Sequence, residues 1–162
     1  MRAMAPGKVL LTGAYAVLDG APAIVAAVDC YAIADGSRIA TAPSPEVLAL
    51  SGDEPAPEVD VSALHDAGGR KLGLGSSAAA LVASLGVRAL ARGEDPCAAA
   101  VRARIFGMAR DAHARAQRGG SGADIAASVY GGVIEYAIGA GAAVRSRELP
   151  PGLLGAVYDS GT

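Results

Sequence analysis

The sequence has no tryptophan and one phenylalanine, and aromatics make up only 4% of its 162 residues. With so few rings, no platform for stacking nucleic-acid bases is evident. An excess of either charge is also missing: 14 Lys and Arg stand against 16 Asp and Glu, with no basic run, so no nucleic-acid partner is expected. Only two cysteines occur, Cys30 and Cys97, far apart and matching no metal spacing. They are expected to be buried thiols in a reducing cytoplasm. No apolar run approaches the roughly 18 residues a membrane span needs. Arg2 and Lys8, then Val9-Leu10-Leu11, then Ala14-Tyr15-Ala16, loosely mimic a signal peptide, but the run is too short and Thr12 and Gly13 break it. A Gly-x-x-x-x-Gly-Lys-Ser/Thr loop is absent too, and Lys71 precedes its glycine cluster instead of following it.

The chain does have length for one domain and enough apolar content, 52%, for a core. Residues 2–18 read as extended, with a kink at Pro6-Gly7 and a hairpin-type turn at Asp19-Gly20. Strand is expected from Ala23 to Val28 and Tyr31 to Ile33, a second turn at Asp35-Gly36, and a further strand from Arg38 to Ala42. Val47 to Leu50 reads as a short strand, and 51–70 as mostly irregular. A helix over roughly 76–92 follows, stopped by Gly93, with Arg88 and Arg92 in its last turns. A second helix is expected from Asp95-Pro96 to about Gln117, with Val101, Ile105, Met108 and Ala112 on one stripe. Ser121 is expected to cap a short third helix, closed by Gly131-Gly132. Val133 to Ala137, Ala143 to Arg147 and Leu153 to Tyr158 read as late strands. Strands, then helices, then strands again suggest an α+β fold.

Gly73-Leu74-Gly75-Ser76-Ser77-Ala78-Ala79 is the most informative segment, because a helix pattern follows it at once. The first N–H groups of a helix have no internal partner, and the dipole adds partial positive charge there. Glycines let the backbone approach a phosphate, and serine hydroxyls can reach phosphate oxygen or a metal. A plain Gly/Ser loop capping an ordinary helix reads the same way. Lys8 is unusual inside an apolar strand pattern, since burying an unpaired ammonium is costly; a strand-edge lysine in water is the alternative. Asp124 lies in the first turn of a short helix, where it also suits the dipole. His113 reads as a half-buried surface histidine and His65 as a solvated loop residue.

Taken in order, these segments resemble the motifs of the GHMP kinases, which include mevalonate and phosphomevalonate kinases. Ala5 to Leu18 resembles their first motif, and Gly73 to Ala79 matches the second, phosphate-binding one. Lys8 with the Gly-x-Tyr-x-Val-Leu pattern, Lys71, and Ala112-His113-x-x-Ala116-Gln117 leading into Gly120-Ser121-Gly122-x-Asp124 look most like the phosphomevalonate kinase branch. The resemblance implies the ATP-binding domain of that fold, a mixed or antiparallel sheet with helices packed on it, and ATP and Mg²⁺ as cofactors. Gly73, Leu74, Gly75, Ser76, Ser77 and Ala78 would wrap the ATP phosphates, and Ser77 would touch Mg²⁺. Lys8 and Asp124 would be the catalytic pair, lying close together across the cleft, and Tyr15, His113, Ser121 and Gly122 would bind the acceptor.

The implied function is ATP-dependent phosphorylation of phosphomevalonate in the mevalonate route to isoprenoid precursors, with mevalonate kinase or a related GHMP kinase as the alternative. A truncated, non-catalytic nucleotide-binding remnant is the reading from another class. Family members are about twice as long, so 1–162 is expected to be the N-terminal domain, with the C-terminal domain missing and self-association through the face it would cover.

Overall fold

A computed structural model describes residues 1–51, 54–117, 119–138, 143–153 and 155–158. Two long strands, β1 (Arg2–Thr12) and β2 (Ala23–Ile39), run antiparallel and form the backbone of the sheet. The connection between them is not the two-residue turn expected at Asp19-Gly20. Residues Ala16–Asp19 form a 3-10 turn, which overturns the extended reading of 15–18, and Gly20 closes it at φ 87°.

β2 also runs straight through Asp35-Gly36, where a turn was expected, and absorbs the start of the separate strand expected from Arg38. Gly36 serves close packing instead of turning: a Cβ there would fall 2.5 Å from Val87 Cγ1 on the helix above. β3 (Pro57–Asp60) and β4 (Val133–Ala137) both pair with β2, and β5 (Ala143–Arg147) pairs with β4, all antiparallel. The last expected strand does not form. Leu153 and 155–158 carry no ladder, and the Leu153 N–H closes a turn on the Pro150 carbonyl; Leu154 lies outside the described residues.

The helices are α1 (Pro45–Ser51), α2 (Ser76–Ala91), α3 (Ala99–Gln117) and α4 (Ala123–Tyr130). The short apolar run 47–50 is therefore helix, not strand. Pro45 opens α1, and the Ser44 hydroxyl accepts from the Val47 N–H at 3.4 Å, an N-terminal cap with proline at the first position. The Asp95-Pro96 signal does not start α3. Asp95 instead caps a separate turn through the Cys97 N–H (2.8 Å), and the helix begins at Ala99. Cys97 in that turn is exposed, and Cys30 on β2 is half-buried, so neither is the buried thiol expected.

α2 is buried on almost all sides, as an alanine- and leucine-rich helix without a polar stripe must be. It packs on β1 and β2 beneath it and on α1, α3 and α4. The same buried core includes Leu64, Val25, Ile125, Ile134 and Tyr136. On α3 the buried stripe is Ile105, Phe106, Ala109, Ala112 and His113, while Met108 is 38% exposed, contrary to the expected stripe. Arg88 reaches across to α1, donating to the Leu50 carbonyl (3.2 Å) and the Ser51 hydroxyl (3.0 Å), where a cation suits the helix C-terminus.

Candidate active site

The site starts from an irregularity in the sheet. Pro6 pairs with Tyr31, but Lys8 pairs with Ala27, so Gly7 alone stands opposite residues 28–30. Such a bulge re-aims the side chains that follow it. Ala5 faces the helices, and so does Leu10, which in an unbroken strand would point to the other face. Lys8 turns with Leu10 to the helix side. The backbone groups at the bulge are taken up from both directions: the Ser128 hydroxyl of α4 donates to the Pro6 carbonyl (2.8 Å), and the Lys8 N–H donates to the Leu74 carbonyl (2.8 Å). Gly7 makes this approach possible. A Cβ on it would fall 2.6 Å from the Leu74 oxygen and 2.6 Å from Leu64 Cδ2.

The glycine turn thus docks directly on β1. Gly73 and Gly75 take φ values of 74° and 76°, and a Cβ on Gly75 would meet Lys8 Cγ at 3.0 Å. The Lys8 ammonium donates to the Gly73 carbonyl at 3.2 Å. The helical ladder of α2 begins with the Ala79 N–H on the Gly75 carbonyl (3.0 Å), and no side chain caps the helix start. The serine hydroxyls are engaged elsewhere: Lys71 Nζ donates to Ser77 Oγ (3.2 Å), and His65 Nε2 lies 3.3 Å from Ser76 Oγ.

Asp124 enters from α4. Its Oδ1 accepts from the Ile125 N–H (2.9 Å), and its Oδ2 lies 3.5 Å from Nε2 of His113 on α3. His113 is 6% exposed, more buried than expected, because it sits on the α3 stripe that packs against α4. Lys8, Lys71, Gly73, Gly75, Ser76, Ser77, Ala78, His113 and Asp124 line one cleft of about 150 Å³. Lys8, His113 and Asp124 also line an adjoining cleft of about 210 Å³ with Ser121 and Gly120. The structure therefore gathers Lys8, the glycine turn, His113, Ser121 and Asp124 around one place. Within it, Asp124 pairs with His113, while Lys8 donates to Gly73.

Gly122 caps α4 at φ 77°, and Ser121 Oγ accepts from the Ala123 N–H (3.2 Å). Tyr15 stands apart, 86% exposed and lining neither cleft. Three residues were not anticipated. The Tyr136 hydroxyl donates to the Ser121 carbonyl and so holds the 119–122 loop; burial pushes its phenol above the ordinary range, against the pull of Arg110. A tyrosine alternating with Ile134 in a strand was the available signal, since a buried phenol needs a partner. His65, expected as a solvated loop residue, is half-buried beside Ser76, and nothing in the sequence pattern marks that contact or Ser128.

The donor set fits a magnesium nucleotide. Two ammonium groups and an uncapped helix start line the cleft with one carboxylate and two serines. Among the described residues no three His, Cys, Asp or Glu come together, so a metal here would need ligand oxygens besides the protein's own. A separate cavity of about 550 Å³ lies between the end of β2, residues 40–44, α1 and β3, and reaches Ala80 on α2. No described helix is long and apolar enough to cross a membrane.

No protein-family profile and no curated protein matches the chain. Solved structures do. Phosphomevalonate kinase of Streptococcus pneumoniae, in complex with phosphomevalonate and AMPPNP, superposes at a TM-score of 0.70, covering 90% of this chain and 58% of that one at 18% identity. Mevalonate kinase of Methanococcus jannaschii gives 0.67, with 91% and 56% covered and 17% identity. The chain has the GHMP kinase fold. A Lin0012 protein from Listeria innocua is similar at 29% identity, with a TM-score of 0.63 over 84% of this chain and 48% of that one. The chain thus spans about half the length of these structures. Within the GHMP kinase fold, the antiparallel sheet and four helices described above make up the matched part.

Proposed function

We propose that the chain is the nucleotide-binding part of a GHMP-type small-molecule kinase that passes the ATP γ-phosphoryl group to phosphomevalonate. The observation that carries this reading is the single cleft shared by Lys8, Lys71, the 73–78 turn and Asp124. Amides of Ser76, Ser77 and Ala78 would donate to phosphate oxygens, and the two lysines would offset their charge. Ser77 and Asp124 would hold Mg²⁺, which when bound supplies charge neutralisation on the phosphates. The 550 Å³ cavity is the proposed seat of the base and ribose. Ala80 on its wall lies one helical turn beyond Ser76, about 6 Å along α2.

The acceptor decides what Asp124 must do. A phosphate monoester has a second pKa of about 6 and is mostly ionised at neutral pH, so it needs no base. A hydroxyl acceptor such as mevalonate does. Asp124 already accepts from Ile125 and pairs with His113, which suits a role of charge and position. Loss of its charge in Asp124→Asn is therefore expected to slow transfer to phosphomevalonate less than transfer to mevalonate.

Calorimetric titration with MgATP tests the nucleotide reading, and Lys8→Ala is expected to weaken binding. A folded chain that binds no nucleotide would overturn it. Because the matched structures are about twice as long, steady-state phosphorylation of either acceptor by the 162-residue chain is expected to be slight. Robust turnover would show that this length suffices, and the preferred acceptor would separate the phosphomevalonate and mevalonate readings.

A further inference from the structure

Serines at a helix start commonly turn their hydroxyls back onto the helix's own first amides. At α2 the N-cap position is Gly75, which has no side chain to cap with, and the Ser76 and Ser77 hydroxyls are both held from outside the helix. The two side chains that hold them, those of His65 and Lys71, come from one pair of residues, joined across an isolated antiparallel bridge. Below this bridge the Leu72 N–H donates to the Leu64 carbonyl (3.2 Å), and Leu64 is fully buried beneath Gly7. Above it the tip is locked by Asp66. That carboxylate accepts from the N–H groups of Gly68 and Arg70 at 2.9 Å each and from Arg70 Nε at 3.0 Å. These bonds hold the Asp66 carboxyl below its usual range. The hairpin of residues 64–72 is anchored in the core at one end and tied off at the other, with its two cross-strand partners aimed at successive hydroxyls.

We propose that His65 is a positioning residue for the phosphate-binding turn: it fixes the Ser76 hydroxyl, as Lys71 fixes that of Ser77, so that the turn meets its ligand already ordered. This rests on the nucleotide reading given above. Ser76 is 6% exposed and His65 half-buried, so the contact is sheltered from water and an unmatched hydroxyl there would be costly. A turn whose side chains are set in advance loses less freedom on binding.

The test compares His65→Leu, His65→Gln and Ser76→Ala with the wild-type chain, each checked for an unchanged melting temperature. His65→Gln can return a polar atom to about the place of Nε2, whereas His65→Leu cannot. MgATP affinity by calorimetry is expected to fall about three- to tenfold in His65→Leu, the size of one hydrogen bond. It is expected to recover to within about twofold in His65→Gln, and to show no further loss when His65→Leu is combined with Ser76→Ala. Equal affinity of His65→Leu and wild type, with Ser76→Ala weakened, would overturn the role of His65 and leave the nucleotide reading standing. If wild type binds no MgATP, the nucleotide reading fails, and ¹⁵N NMR of the His65 imidazole in the ligand-free chain decides the contact. A shifted Nε2 signal in Ser76→Ala supports the Ser76–His65 link, and an unmoved one removes it.

Discussion

Gly7 is the residue on which the site depends, and it acts through space, not backbone freedom. The Leu74 carbonyl and Leu64 occupy the place a Cβ would take. Gly7→Ala is expected to destabilise the fold by about 1–3 kcal/mol, the usual cost of forcing atoms into a packed site. Urea denaturation measures this, and an unchanged midpoint would mean that β1 and the turn yield freely. Tyr136→Phe is a second such case. It leaves the Ser121 carbonyl without its donor, at an expected cost of about 1–3 kcal/mol; a mutant as stable as wild type would show that the loop finds another partner. At this scale the sequence was readable where chemistry was conspicuous. A lysine in an apolar strand, a glycine-serine turn and an aspartate at a helix start all line one cleft. The pairings inside that cleft were not readable. His113 lies one turn after Ala109 on α3, and its contact with Asp124 depends on how α3 and α4 pack. His65 gains its role only through the bridge to Lys71, which no local pattern announces.

Among the elements, α2 was legible nearly to the residue, because fifteen of its sixteen positions carry small or aliphatic side chains, which a helix buries together. α1 was not, since a four-residue apolar run fits strand and helix alike, and only the Ser44-Pro45 start distinguishes them. β2 was cut into pieces because Asp-Gly signals a turn unless, as at Gly36, a helix presses against the glycine. The central place of α2 predicts a large core effect: Leu85→Ala is expected to cost about 2–5 kcal/mol by chemical denaturation. A loss under 1 kcal/mol would contradict its full burial. The helix start makes a separate prediction. Ser77→Ala is expected to weaken MgATP about tenfold while affecting metal-free ATP less, because its hydroxyl is assigned to the metal. Equal weakening of both in parallel titrations would remove that assignment.

Over the whole molecule, a set of carboxylates responds to pH. Asp35, Asp60, Asp66 and Glu94 are all held below their ordinary ranges, by hydrogen bonds from Ser37, Ser62, Arg70 and Arg104 respectively. A carboxyl that ionises more easily in the folded chain stabilises it above the unfolded pKa of about 4, and the contribution is lost as pH falls through the lower folded values. The melting temperature is therefore expected to hold steady from pH 7 to about 5 and to fall below about 4. These groups are largely exposed, so the decline is modest and salt should blunt it. A melting temperature that stays flat to about pH 2 would contradict the shifts.

The bond from the Lys8 N–H to the Leu74 carbonyl joins the second β1 residue past Pro6 to a turn far along the chain. A proton on that nitrogen can exchange with solvent only when the turn lifts away from the strand. Deuterium uptake at this one amide therefore times the opening of the 73–78 turn separately from the unfolding of the sheet. An uptake rate at Lys8 that outpaces its ladder neighbour Leu10 would describe a turn that breathes on an intact floor. A rate locked to Leu10 would describe a turn and a strand that open only as one body.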